Sequence, residues 1–281
     1  MKRLLLILLI LFLACEDEQV KDCAGVEGGT AMIDSCGVCD DNPDNNCLID
    51  YDGNIYEVAR IGNQIWTIKN LNVTHYQDGS AIQTGYSNYE WSSPFLPFYS
   101  TGVYAVYNDD TSNIAKYGNL YNWYAVDDSR GICPEGWHIP SDDEWKELEL
   151  YLGICDGSLG NKDSYVSSDG CVNNIGWIGT NEGGMIKEDN TEHWNTETCT
   201  EPVCPDGSTG CNCSGFTAMP GGFRYYLDGF YNGMGYGGYF WSSTESSSHY
   251  AWYRQLGTYN SEINRNNFHK AYGFSIRCVR D

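Results

Sequence analysis

Trp145, Leu148 and Leu152 recur at the spacing of one helical face, with charged Lys146, Glu147 and Glu149 beside them. Ser141 stands where an N-cap is needed, and Glu144, three residues on, can bond back to it. Asp142 and Asp143 suit the positive end of the helix dipole, and Gly153 supplies a stop. The pattern predicts one main helix over about 142–152, too short to stand alone, so its apolar stripe must dock on a sheet.

Elsewhere the apolar period is two. Residues 55–58 and 64–68 alternate around turns at Asp52-Gly53-Asn54 and Gly62-Asn63. Further strands are predicted at 103–108, 216–219, 222–226, 238–243, 250–256 and 272–280, with a long polar and aromatic loop over 77–113. Cysteine-bearing inserts fill 155–171 and 199–213. The 32 glycines and 40 aromatic residues agree with short strands and tight turns.

Net charge is −22, which excludes nucleic acid as a partner and argues against electrostatic binding to anionic membranes. It is uneven: residues 16–50 hold ten Asp or Glu against one Lys, whereas 213–281 hold six Lys or Arg against four acids. Thirteen cysteines mark an exported chain. Its start agrees, since Lys2 and Arg3 precede an apolar run over 4–13 that is too short to span a bilayer.

The run ends in Phe12-Leu13-Ala14-Cys15, which resembles the lipobox of bacterial lipoproteins. That resemblance implies a signal peptide over 1–14 and a lipid anchor at Cys15, holding the chain to outer-membrane lipid. Glu16-Asp17-Glu18, within an acidic tether over 15–21, resembles the signals that place lipoproteins of Bacteroidetes-like bacteria at the cell surface. A cysteine-rich module follows over 22–48, where Cys23, Cys36, Cys39 and Cys47 must supply the stability that a missing apolar core cannot. Its Asp40, Asp41 and Asp44 are oxygen donors of the kind calcium takes. A full calcium-loop pattern is missing, which leaves a solvated acidic linker as the other reading.

Within 49–281, six ordered blocks resemble the major paralogous domain family of Fibrobacter succinogenes. They are Ile65-Trp66 with Lys69-Asn70-Leu71-Asn72; Tyr117-Gly118-Asn119-Leu120-Tyr121-Asn122-Trp123; Cys133-Pro134-Glu135-Gly136-Trp137-His138; Gly215-Phe216-Thr217-Ala218-Met219-Pro220-Gly221-Gly222-Phe223-Arg224; Tyr239-Phe240-Trp241-Ser242-Ser243; and Gly273-Phe274-Ser275-Ile276-Arg277-Cys278. The resemblance implies an α+β, C-type-lectin-like domain with a mostly antiparallel sheet, one main helix, long loops and disulfides, close to the formylglycine-generating enzymes. It also implies a Cys133–Cys278 bridge and a Cys155–Cys171 bridge, with the pairing of Cys199, Cys204, Cys211 and Cys213 left open.

Catalytic signals are sparse. The five histidines lack metal-ligand spacing, and Glu245 has no second carboxylate assigned to it. Trp194-Asn195-Thr196 and Glu201-Pro202-Val203 lack ligands that calcium-dependent sugar binding requires in lectins. Binding chemistry is plentiful: residues 213–281 hold 17 aromatics interleaved with Ser, Asn and Gly. Tyr231, Tyr236, Tyr250, Tyr259 and Asn260 are assigned to ligand-contacting loops, and Phe240, Trp241, Trp252 and Phe274 to the core. Arg224, Arg254 and Arg277 are expected in ion pairs. The expectation is a non-catalytic surface protein recognising a polysaccharide or another surface protein, with no cofactor beyond calcium in the spacer. Two alternatives stand beside it: a formylglycine-type thiol oxidoreductase using free Cys211 and Cys213, or a structural coat protein.

Overall fold

The computed structural model describes residues 21–33, 39–40, 48–93, 100–155, 171–189, 192–195 and 202–281. The expected signal peptide, Cys15, Asp41, Asp44, Cys199 and the side chain of Asp40 fall outside them. Among the described residues no helix is long and apolar enough to cross a membrane, and no three His, Cys, Asp or Glu side chains group to hold a metal ion.

The chain divides into two compact units, Met1–Asn42 and Pro43–Asp281. In the first, β1 (Met32–Ile33) pairs antiparallel with β2 (Cys39–Asp40), and Asp22 accepts bonds from the Val26 and Ala31 amides. Cys23 there is disulfide-bonded.

The second unit is α+β. It opens with a hairpin, β3 (Leu48–Ile49) and β4 (Ile55–Tyr56), turned at Asp52-Gly53-Asn54 as the sequence predicts. β5 (Val58–Ile61) and β6 (Gln64–Thr67) follow. Short helices α1 (Asn88–Trp91), α2 (Ile114–Tyr117) and α3 (Trp123–Val126) alternate with β7 (Tyr104–Ala105) and β8 (Leu120–Tyr121). Then come β9 (Trp137–His138), α4 (Asp142–Leu152), β10 (Gly176–Ile178) and α5 (Glu182–Ile186). The last third holds β11 (Gly221–Arg224), β12 (Tyr231–Met234), β13 (Gly237–Ser247), β14 (Tyr250–Gly257), β15 (Ile263–His269) and β16 (Val279–Arg280).

Two sheets result. One has the order β10-β15-β14-β13-β11-β12 and is antiparallel except between β11 and β13. That parallel contact joins Gly222 to Gly238. Gly222 has φ +67, and a Cβ there would lie 2.4 Å from the Asn232 carbonyl, so no larger residue fits the junction. The other sheet, β5-β6-β16-β9, inserts the last strand beside the first ones.

α4 forms where predicted. The Ser141 hydroxyl accepts from the Glu144 amide, Glu144 accepts from the Ser141 amide, and Gly153 is left-handed at φ 113. Trp145, Leu148 and Leu152 are buried, and the Trp145 ring meets Trp66 at 4.9 Å, Phe216 at 5.7 Å and Phe240 at 6.1 Å. The stripe therefore docks on both sheets. Glu149 is not on the solvent side as its position in the pattern implied: it is fully buried and bonded by Arg254, while Asp142 takes bonds from Arg254 and Arg265.

Several expected strands are corrected. Residues 216–219 hold a single bridge, Ala218 to Lys187, because Thr217 sits at φ 55. Residues 103–108 shorten to β7, since Asn108 and Asp109 turn the chain at φ 54 and 56. Only Val279–Arg280 of 272–280 is regular strand. Of the three arginines, only Arg254 pairs with carboxylates among the described residues. Arg277, fully buried, donates instead to the carbonyls of Thr67, Phe216 and Thr217 and to Asn70, and burial pushes it down to about 9. Arg224 donates to the Gly229 and Tyr86 carbonyls and lies between the Trp91 and Tyr231 rings at 4.3 and 4.7 Å.

Cys133–Cys278 and Cys155–Cys171 are bridged, as the resemblance implied, with Cα separations of 6.0 and 4.6 Å. Cys204 pairs with Cys213, and Cys211 is also disulfide-bonded.

His138 ties the helix start to the chain end. Its Nε2 lies 2.7 Å from Glu144, and its Nδ1 bonds Asp281. Burial lowers its pKa, but these two carboxylates outweigh that and hold it above the usual 6.5. A raised histidine stabilises the fold fully below about 6.5, and the contribution is lost as pH rises through the folded value. Thermal denaturation should therefore show Tm falling by no more than about 2–4 °C from pH 6 to 8, because the ring is part-exposed. His138→Gln should remove that slope; an unchanged slope would place its origin elsewhere.

Candidate functional site

Strand alternation gives the six-stranded sheet two unlike faces. Phe240, Arg254, Leu256, Ile263 and Arg265 share one, against α4. The opposite face carries Phe223, Tyr239, Trp241, Tyr253, Gln255, Asn264, Asn266 and Phe268, with Trp177 at the edge. Trp241 and Tyr253 are core, whereas Phe223, Tyr239, Gln255, Asn266 and Phe268 are only half-buried.

The rings form a continuous surface. Tyr253 stacks on Phe268 at 4.6 Å, Phe268 on Tyr272 at 4.8 Å, and Phe223 meets Tyr239 edge-on at 4.9 Å. Burial raises the phenol pKa of Tyr239, Tyr253 and Tyr272, so these groups stay neutral at physiological pH.

One register row crosses four strands: Trp177 on β10, Asn264 on β15, Gln255 on β14 and Tyr239 on β13. An aromatic ring thus stands at each end with two amides between, spread over roughly 14 Å at the usual strand spacing. Gln255 donates to the Tyr239 hydroxyl at 3.2 Å. The Asn264 side-chain oxygen is buried without a hydrogen-bond partner among the described residues, although buried amides are ordinarily satisfied. None of these four positions bears a charge.

The row adjoins two turns. Tyr236, in the β12–β13 turn, accepts from the Thr258 amide at 2.8 Å, which binds it to the β14–β15 turn bearing Tyr259 and Asn260. Tyr236 and Tyr259 are among the most exposed large side chains, at 51% and 76%. Beneath them Lys187 donates to the Gly257 and Asn260 carbonyls, and burial pushes its amine down to about 8. A Cβ built on Gly257 would lie 3.2 Å from the Trp177 ring, which brings the tryptophan beside Asn260.

Three of the five residues expected to contact ligand therefore sit together. Tyr250 lies at the other end of β14, roughly 20 Å away along the strand. Tyr231 is in strand β12 rather than a loop; its hydroxyl donates to Asp109 and its ring covers Arg224 on the helix-side register of the sheet. Trp177, Tyr239, Gln255 and Asn264 went unassigned because the row exists only once β10, β13, β14 and β15 are paired. Residues 263–269 carried no alternating signal, since their apolar members Ile263 and Phe268 fall on opposite faces. Of the residues assigned to the core, Phe240, Trp241 and Phe274 are buried, while Trp252 is half-buried under the Arg265 guanidinium at 3.7 Å.

Other chemistry-bearing groups are engaged structurally. Glu245 pairs with Lys270, whose ammonium lies 4.2 Å from the Trp123 ring centre. His193 bonds Glu188 at 2.8 Å, and His75 bonds Asp52.

These features define a disulfide-tied α+β domain with one charged, helix-covered sheet face and one neutral aromatic face. Residues 59–280 match the family described as the Fibrobacter succinogenes major domain, and the chain belongs to that family. No curated protein and no solved structure matches the chain.

Proposed function

We propose that the protein is an exported, lipid-anchored surface protein whose C-terminal domain, C-type-lectin-like in fold, recognises carbohydrate without transforming it. The observation carrying this reading is the neutral Trp177–Asn264–Gln255–Tyr239 row beside Tyr236, Tyr259 and Asn260. Aromatic faces stack on the C–H faces of sugar rings, and amides exchange hydrogen bonds with hydroxyls. A row of this length suits an extended, uncharged polysaccharide rather than a single sugar. Cys211 and Cys213 are disulfide-bonded, which favours recognition over thiol chemistry. The cysteine-rich segment and acidic tether serve in this reading as a spacer from the outer membrane, with Cys15 as the anchor.

Affinity electrophoresis or calorimetry of the full chain against neutral polysaccharides should give saturable binding. Trp177→Ala and Tyr239→Ala should each weaken it about tenfold, the scale of one lost aromatic stack with its buried area. Silence across the panel, or binding indifferent to both substitutions, would overturn the glycan reading and favour a protein partner.

A further inference from the structure

A second site lies away from the aromatic face. A cleft of about 150 Å³ opens between β4, the segment carrying Lys69 to Asn72, and α2. Ile55, half exposed, and Ile114 give it an apolar wall, and Asn54 and Asn72 line it with amides. Those amides are held in place: Asn72 donates to Asn54 at 3.2 Å, and Asn54 donates to Asp50 at 2.8 Å. Two ammonium groups, Lys69 and Lys116, border the same cleft.

Charge decides what enters. Lys69 lies 3.0 Å from Glu57, while Lys116 has no ion pair among the described residues. Asp50 lies behind Asn54 and does not line the cleft; its oxygens are taken by bonds from the Asp52 amide, the Asn54 amide and side chain, and the Tyr56 hydroxyl. The two charged side chains that line the cleft itself are both ammonium groups, in a chain where acids outnumber bases 38 to 16. Its volume takes one ring, not a polymer segment.

We propose that this cleft binds a sugar acid, a pyranose bearing a carboxylate such as a uronate. The carboxylate is drawn to Lys116 and Lys69, the hydroxyls to Asn54 and Asn72, and the C–H face of the ring to Ile55 and Ile114. The amides and the apolar wall together select a ring over a bare anion.

The test is NMR titration of the full chain with sodium D-glucuronate, D-glucose and sodium acetate at matched ionic strength. Glucuronate should bind saturably, with shifts confined to residues around 54–72 and 114–118. Lys116→Met, at an exposed position that leaves the fold intact, should weaken it about tenfold. Tyr239→Ala should leave it unchanged, which separates this cleft from the aromatic face. The proposal is overturned if glucuronate gives no saturable shift, if acetate or glucose binds as well, if Lys116→Met has no effect, or if Tyr239→Ala abolishes the response.

Discussion

Replacing Arg254 by Met should cost about 3–5 kcal/mol of stability, the usual result of removing one partner from a buried ion pair. Glu149 is fully buried, and the Arg254 guanidinium bonds both of its oxygens. Asp142 would keep Arg265 and Lys146 at 2.7 and 2.9 Å, but Glu149 would be left as an uncompensated buried carboxyl group. Urea denaturation should show the loss, and Arg254→Met combined with Glu149→Leu should recover much of it, because an apolar pair of similar volume avoids the desolvation cost. A single variant within about 1 kcal/mol of the parent, well below the buried-pair range, would mean the network contributes little. Acid should act on the same cluster. Burial raises the Asp142 pKa, but bonds from Arg265, the charge of Arg254 and Lys146 outweigh it and hold the carboxyl far below the usual range. Its contribution is therefore complete above about pH 4 and is lost only as pH falls through the depressed value.

The Cys133–Cys278 bridge should be the most costly disulfide to remove. It closes a separation of 145 residues, against 16 for Cys155–Cys171. Chain-entropy estimates give about 4–5 kcal/mol for the long loop and about 3 for the short one. Both sulfurs of the long bridge also lie in the core, where Cys133 and Cys278 are buried beside Trp241 and Phe274. Paired Cys→Ala substitutions followed by thermal and urea denaturation should rank the two bridges in that order; the reverse ranking would refute the entropic account. Alanine is the right replacement, since a serine hydroxyl would be buried without a partner.

How much of this was legible in the sequence depended on range. α4 could be read in full because its signals are local: cap, box, stripe and stop all lie within thirteen residues, Ser141 to Gly153. The first hairpin was legible for the same reason. The part of α4 that was misread is the part that depends on distant residues. Asp142 and Glu149 look like surface charges until Arg254 and Arg265, more than a hundred positions later, are brought against them. Arg277 was misread in the same way, since backbone carbonyls carry no signature in side-chain identity. β15 escaped because Asn, Arg and His outnumber its apolar residues, and the two it has, Ile263 and Phe268, fall on opposite faces, so no period of two marks it. The turn residues Tyr236, Tyr259 and Asn260 were singled out by composition, whereas the row beside them needed strand register.

The two-faced sheet has a consequence for how such a domain can change. Along β14, Arg254 and Gln255 are neighbours in sequence, yet one locks the scaffold to its helix and the other faces outward. Structural obligation and outward chemistry thus alternate residue by residue and seldom fall on one side chain. Exchanging Trp177 or Gln255 leaves the charged network behind the sheet untouched, so the outward face can change while the scaffold persists.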